Sequence, residues 1–310
     1  MIKLKIGTRI FNEEYLIHDF INHYLKLGAD EIHFYDSSST DKTLEIIKEI
    51  SRNNERIIIV ESDSNLKHTS YYVQTQICNK ILKHAISNCS EEKESVTWIF
   101  PDVDEFLKVD NEYDFKTLIS TSSEDILRTI FLEWYLPPRL SKTMVNPEMM
   151  LDLIESQELK GRILDLWGDP FYKDYIIRLN QRNIKKFAKI QTVAGFHRFI
   201  LNKRLLIPPN HNYIVVNHLR GVPFKIMKQR TEKNIKILDD KDEWSYEHFS
   251  VIKNYLKNYA SFYKNNLLTH KEIQKKLSLI LPYDNDNSYF NNVIMKDNLQ
   301  KLGYSKPSMH

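Results

Sequence analysis

Residues 3–35 read KLKIGTRIFNEEYLIHDFINHYLKLGADEIHFY, and this stretch decides the fold. Lys3–Arg9 is a short run with strand character. From Glu13 to Leu27 the period changes, because Leu16, Ile17, Phe20, Ile21 and Tyr24 follow the i, i+3, i+4 spacing of an amphipathic helix. Asn12 stands where an N-cap is expected, Glu13 and Glu14 suit the positive helix end, and Gly28 suits a C′ stop. Glu31–Tyr35 reads as the second strand. Strand, helix, strand within about 33 residues is a parallel crossover unit.

The rhythm continues outward. Leu44, Ile47 and Ile50 make one helix face, Arg56–Val60 a third strand, Val73, Ile77, Ile81 and Ala85 a third stripe, and Val96–Phe100 a fourth strand. The strands are short apolar runs, as expected when helices cover both faces of a parallel sheet. Beyond Pro101 the pattern breaks. Ile126–Tyr135 reads as a strand ended by Pro137 and Pro138, residues 141–175 have no clean period, and residues 176–219 hold strand-like pieces ending in Tyr213–Val216. Residues 141–175 are expected to form a lid or an acceptor-side insertion. From about residue 224 the chain becomes helical and charged.

The chain has 310 residues, with Lys+Arg 44 against Asp+Glu 41 and a net charge of +3. That length can bury about 70–75% of the unfolded surface without staples. So small an excess of positive charge argues against a nucleic-acid partner. Cys78 and Cys89 form no framework and no zinc spacing. The N-terminal residues carry no apolar signal core, and no run reaches a membrane span, so a cytoplasmic protein is expected, with room for peripheral membrane contact.

In open parallel sheets, ligands bind at the carboxyl ends of the strands. Those ends here carry Thr8, Arg9, Asn12 and Glu13; then Asp36 to Asp41; then Glu61 to His68; then Asp102, Asp104 and Glu105. Asp102-Val103-Asp104 is the sharpest element. Two carboxylates one residue apart at a strand end suit Mg²⁺ or Mn²⁺, which shares its shell with phosphate oxygens. The first turn, TRIFN, lacks the glycines of a dinucleotide site, and no GxxxxGK[ST] is present. A dehalogenase-type phosphatase would want Thr or Val where Phe106 stands, and Gly7-Thr8-Arg9 echoes a sugar nucleotidyltransferase without its neighbouring glycines.

The stretch TRIFNEEYLIHDFINHYLKLGADEIHFYDSSSTDKT, followed by WIFPDVDEFL, resembles GT-A glycosyltransferases of the family 2-like and family 92-like group. The likeness covers residues 3–107 well. It is weaker at Lys185, Lys189, Val193 and His197, and at Asn217-His218-Leu219-Arg220, where Leu219 replaces the usual aromatic. The resemblance implies an α/β fold of GT-A type, a Rossmann-like, mainly parallel sheet flanked by helices. Residues 1–222 would be the catalytic domain, with 1–107 the nucleotide-binding half and 108–222 the acceptor half, and 223–310 a helical C-terminal extension.

It further implies a metal-dependent, hexosyltransferase-like enzyme of glycan or polysaccharide synthesis. Sugar would move, with inversion, from a nucleotide-diphosphate sugar, UDP-sugar favoured, to a glycan, lipid-linked or protein acceptor. The alternatives are a sugar-phosphate nucleotidyltransferase and a non-catalytic binder of the same fold. Thr8, Arg9 and Glu13 would line the nucleotide pocket. Asp36 would bind the base, with Ser38 and Asp41 shaping its loop. Asp102 would face ribose and metal, and Asp104 and His218 would hold Mn²⁺ or Mg²⁺. Glu133 and Asp169, each beside a Trp, are the candidates for the acceptor base. The C-terminal helices would serve as a packed cap or a homo-oligomer contact.

Overall fold

A computed structural model describes residues 2–62, 71–90, 94–108, 112–122, 124–140, 144–163, 172–192, 194–196, 199–202, 204–206, 214–219 and 256–280, with 228, 229, 232 and 253 in isolation. The first half follows the sequence pattern: β1 (Lys3–Ile10), α1 (Ile17–Lys26), β2 (Glu31–Asp36), α2 (Thr43–Asn53), β3 (Ile57–Ser62), α3 (Tyr71–Ser90) and β4 (Val96–Ile99). Then come β5 (Glu105–Leu107), α4 (Glu112–Thr121), β6 (Ile126–Tyr135), α5 (Pro147–Glu155), β7 (Lys160–Arg162) and β8 (Tyr172–Leu179). After α6 (Ile184–Phe187) and the short strands β9 (Gln191–Thr192), β10 (Phe199–Leu201) and β11 (Arg204–Leu205) comes β12 (Ile214–His218). Helices α7 (Tyr259–Asn265) and α8 (His270–Ile280) follow.

Among the described residues the main sheet has nine strands in the order β3-β2-β1-β4-β8-β6-β12-β5, with β7 on β6. β3, β2, β1 and β4 are parallel neighbours. β8 runs antiparallel between β4 and β6, so β6 and its parallel neighbour β12 regain the direction of β1. The sheet is therefore mainly parallel in strand direction, with β8, β5 and β7 reversed. This is the α/β, GT-A type architecture expected above.

The stripe predicted for α1 is its packed face: Ile17, Phe20, Ile21 and Tyr24 are all buried. Each such side chain contributes about 1.5–3 kcal/mol of burial. Gly28 ends the helix with φ 92, the left-handed conformation that a Cβ disfavours. On the far side, α3 is pinned to β9 by a reciprocal amide pair. Asn79 Nδ2 donates to the Thr192 carbonyl at 2.7 Å, and the Thr192 N–H donates to Asn79 Oδ1 at 3.0 Å.

Three expectations are corrected. Asn12 does not cap α1, whose N-cap residue is Leu16. With φ 58, Asn12 turns its side chain across to the loop after β2. Its Oδ1 accepts the N–H groups of Thr40 at 2.7 Å and Asp41 at 3.3 Å, because two adjacent loops satisfy each other's orphan backbone donors there. Second, the described part of residues 141–175 is regular although the sequence there shows no clean period. It holds α5, β7 and the start of β8, a strand central to the sheet. A chain that inserts between two strands takes its register from them, not from a local period. Third, the last strand, expected to end at Val216, runs on to His218, the final residue of β12.

The C-terminal helices lie against this body. Gly161 and Leu268 exchange backbone hydrogen bonds at 2.9 and 2.8 Å, and the Tyr259 hydroxyl donates to the Leu136 carbonyl at 2.5 Å. The boundary expected at residue 222 lies outside the described residues.

Candidate functional site

Parallel pairing of β1 with β2 and β4 brings their carboxyl ends to one edge. The loop after β2 is knitted to the end of β1. The Ser37 N–H donates to the Ile10 carbonyl at 2.9 Å, and the Asn12 N–H to Ser39 Oγ at 3.0 Å. The Ser39 N–H donates to Asp36 Oδ1 at 3.1 Å, and Ser38 adopts φ 64 to make the turn. Asp36 is buried at the strand end. Asp41 is a loop-builder: it accepts the Glu14 N–H at 3.2 Å, the Thr43 N–H at 3.0 Å and the Thr43 hydroxyl at 2.5 Å. The Glu13 N–H in turn donates to Thr43 Oγ1 at 2.7 Å.

Thr8 lies deeper than a pocket lining would. It is fully buried, and its hydroxyl donates to the Pro101 carbonyl at 2.7 Å, which ties β1 to the turn that carries Asp102. That turn closes on itself, as the Glu105 N–H donates to the Asp102 carbonyl and the Asp102 N–H to Glu105 Oε2. β5 then pairs antiparallel with β12, setting His218 opposite Glu105, and the Leu219 N–H donates to the Asp104 carbonyl. A pairing across more than a hundred residues thus delivers His218 to the Asp-Val-Asp turn.

One ligand atom from each of Asp104, Glu105 and His218 lies within 4.8 Å of the others. His218 Nε2 stands 3.3 Å from Asp104 Oδ2. Asp104 is a third exposed, whereas the His218 and Glu105 side chains are almost wholly buried. Two carboxylates and an imidazole are a donor set that suits Mn²⁺ better than the harder Mg²⁺. Asp102 falls outside that trio and is held elsewhere. Lys173 Nζ donates to Asp102 Oδ2 at 2.8 Å and also to Glu105 Oε1.

Lys173, on β8, is 1% exposed. Burial works against its charge, but the two carboxylates overcome this and hold it well above the ordinary lysine value. Desolvation works against the charge of Asp102, although its side chain keeps 41% exposure, and Lys173, with Arg9 adding, keeps it below its usual value. Glu105 goes the other way, raised by burial to about 7 against the pull of Lys173. Lysine 173 was not expected from composition. Its signal is alternation: it shares one face of YKDYIIRL with the buried Tyr175, Ile177 and Leu179.

Glu133 does not face an acceptor. It is 1% exposed on β6, takes the Tyr135 hydroxyl at 2.7 Å and pairs with Arg162 Nε at 3.2 Å. At this position β6 is flanked by Arg162 of β7 and His218 of β12. Trp134 is likewise core, its Nε1 donating to Asn217 Oδ1 at 2.8 Å and its ring stacked on His270. Asp169, Val193 and His197 lie outside the described residues.

The fold and this edge define the class, an α/β protein of GT-A type with an acidic and histidine site at the strand ends. The family comparison agrees: residues 7–130 match the model of glycosyltransferase family 92, the stretch from β1 into β6 that includes the Asp-Val-Asp turn. The resemblance read from the sequence is thereby borne out. No curated protein matches the chain. Among solved structures, the chain is similar to the Pyrobaculum calidifontis mannosyltransferase PcManGT, in complex with GDP-Man and Mn²⁺, at 13% identity over 97% of this chain and 86% of that one, TM-score 0.38. Another is S. aureus TarS 1-349 in complex with UDP, at 17% identity over 89% and 79%, TM-score 0.35. A third is Mycobacterium tuberculosis glucosyl-3-phosphoglycerate synthase, at 15% identity over 63% and 61%, TM-score 0.29. Among the described residues, no helix is long and apolar enough to cross a membrane.

Proposed function

We propose that the protein is a metal-dependent glycosyltransferase. It moves a sugar from a nucleotide-diphosphate sugar, with UDP-sugar the favoured donor, to an acceptor hydroxyl with inversion. The observation that carries this reading is the convergence of His218 on Asp104 and Glu105, with the Asp-Val-Asp turn inside a segment matched by a glycosyltransferase family and at the same sheet edge as the buried carboxylate Asp36. Glycan, lipid-linked and protein acceptors all fit the reading. The catalytic domain is residues 1–222, with 223–310 a helical extension, and the setting is cytoplasmic.

Asp36 holds the base, and the Asn12 and Asp41 contacts keep its loop in place before the nucleotide arrives. Prepaid order of this kind lowers the entropic cost of presenting the anomeric carbon. Asp104 and His218 hold a divalent ion, which when bound supplies Lewis-acid stabilisation of the leaving diphosphate. Asp102, restrained by Lys173, faces the ribose. Inversion needs a carboxylate to take the acceptor proton. Asp169 remains the candidate for that role, with Glu133 withdrawn into the protein.

The test is calorimetry with UDP and with GDP, in Mn²⁺ and then in EDTA, followed by a screen of nucleotide sugars for metal-dependent hydrolysis. Binding only with metal, and release of nucleoside diphosphate, is expected. Equal affinity in EDTA would refute the metal, and release of pyrophosphate from a triphosphate would refute glycosyl transfer.

A further inference from the structure

Behind His218 the structure has a second carboxylate that the transfer chemistry does not use. Glu133 Oε1 is 3.6 Å from His218 Nδ1, on the opposite side of the ring from Asp104, which stands 3.3 Å from Nε2. The parallel register of β12 with β6 sets His218 directly beside Glu133. Glu133 is itself held from two sides, by the Tyr135 hydroxyl at 2.7 Å and by Arg162 Nε at 3.2 Å. Tyr135 is fully buried, and the Arg162 side chain is 14% exposed. Gly161, before Arg162, has no room for a side chain, since a Cβ there would come within 2.6 Å of the Glu133 carbonyl oxygen. Backbone and side chains together leave Glu133 little freedom.

We propose that Glu133 is a positioning residue. Its carboxylate orients the His218 imidazole so that Nδ1 carries the proton and Nε2 presents its lone pair toward Asp104 and a divalent cation. This rests on the metal reading above and deepens it. A histidine ligand commonly gives its second N–H to a carboxylate, which fixes ring and tautomer and makes the ligating nitrogen more basic. At 3.6 Å the Glu133–His218 contact is longer than a hydrogen bond, and the proposal requires the ring to turn until it closes. An acceptor base needs a path to the substrate hydroxyl, whereas a carboxylate 1% exposed and turned toward a histidine needs none.

Two measurements test the assignment. The first is Mn²⁺ affinity, by calorimetry and by electron paramagnetic resonance, in wild type, Glu133→Gln, His218→Ala and the double variant, with Glu158→Gln as an exposed control. Loss of an outer carboxylate typically costs about 10–100-fold in metal affinity. Glu133→Gln is expected at the lower end of that range, and in the His218→Ala background it should add nothing. An acceptor base would leave Mn²⁺ affinity unchanged and lower only turnover, and a scaffold role would weaken binding equally in both backgrounds. Either result overturns the proposal. The second is the ¹⁵N spectrum of histidine-labelled, metal-free Asp104→Ala protein, in which Nε2 has lost the carboxylate 3.3 Å away to which it could itself donate. There His218 should be protonated on Nδ1, and adding Glu133→Ala should remove that preference. If wild type binds no Mn²⁺, the metal reading fails, and the spectrum still decides whether Glu133 sets the tautomer; an Nε2-protonated His218 in Asp104→Ala overturns the proposal in either case.

Discussion

Replacing Lys173 with methionine should destabilise the protein severely and in a pH-dependent way. Lys173 and Glu105 are each 1% exposed, while Asp102 is 41% exposed and can rehydrate. The variant therefore leaves one carboxylate buried without its cation. Breaking a buried pair from one side costs about 3–5 kcal/mol, because the abandoned charge must be neutralised or dragged to water. Lys173 Nζ also lies 5.3 Å from the Phe131 ring and 5.9 Å from that of Tyr175, contacts of roughly 0.5–2 kcal/mol. Methionine recovers most of the stem volume, so about 4 kcal/mol at pH 7 is expected overall.

The sign of the pH dependence follows from Glu105. Its folded value is about 7 against an ordinary 4.5, and loss of Lys173 moves it higher. A raised carboxyl keeps its proton in the folded state while the unfolded chain ionises; wild type shares that loss between pH 4.5 and about 7, so the gap between the two proteins opens as pH rises past about 7. Urea unfolding of wild type and variant at pH 5 and pH 7.5 should show the smaller gap at pH 5. Adding Glu105→Gln should recover at least half of the loss, because the amide is neutral and its oxygen can still accept the Asp102 N–H. A loss under about 1 kcal/mol, or a double variant no better than the single one, would refute this account of the buried cluster.

Two further outcomes are expected. Gly161→Ala should cost about 2–3 kcal/mol in urea unfolding, since its Cβ would meet the Glu133 carbonyl at 2.6 Å and Trp134 Cε3 at 2.8 Å; a change below 0.5 kcal/mol, on the order of a surface substitution, would mean that β7 shifts freely. His23, packed edge-on against Phe106, is pushed down by burial from 6.5 to about 4. A depressed histidine protonates first in the unfolded chain, so stability is lost as pH falls from 6.5 toward 4, by on the order of 3 kcal/mol. His23→Phe should flatten that stretch of the stability curve, and an unchanged curve would remove His23 as its cause.

The first half of the fold was legible in the sequence because its signals are local. A helix stripe such as Ile17, Phe20, Ile21 and Tyr24 is set by a 3.6-residue period, and a covered parallel strand such as Val96–Phe100 by its apolar run. The polar ends of successive parallel strands must then share an edge, so Asp36, Asp102 and Asp104 could be named together from spacing alone. What lay beyond residue 107 depended on partners far along the chain. β8 slots between β4 and β6 in reverse, and β12 finds β5 across more than a hundred residues, and neither pairing leaves a local period. Asn12 sits where a cap is usual, yet its conformation was decided by the unpaired N–H groups of a neighbouring loop. Lys173 and Glu133 carry the residue types most often found in water, and no residue near either in sequence announces its burial. Only when three strands close around them does the low-dielectric interior make one a counter-cation for Asp102 and Glu105 and set the other behind His218.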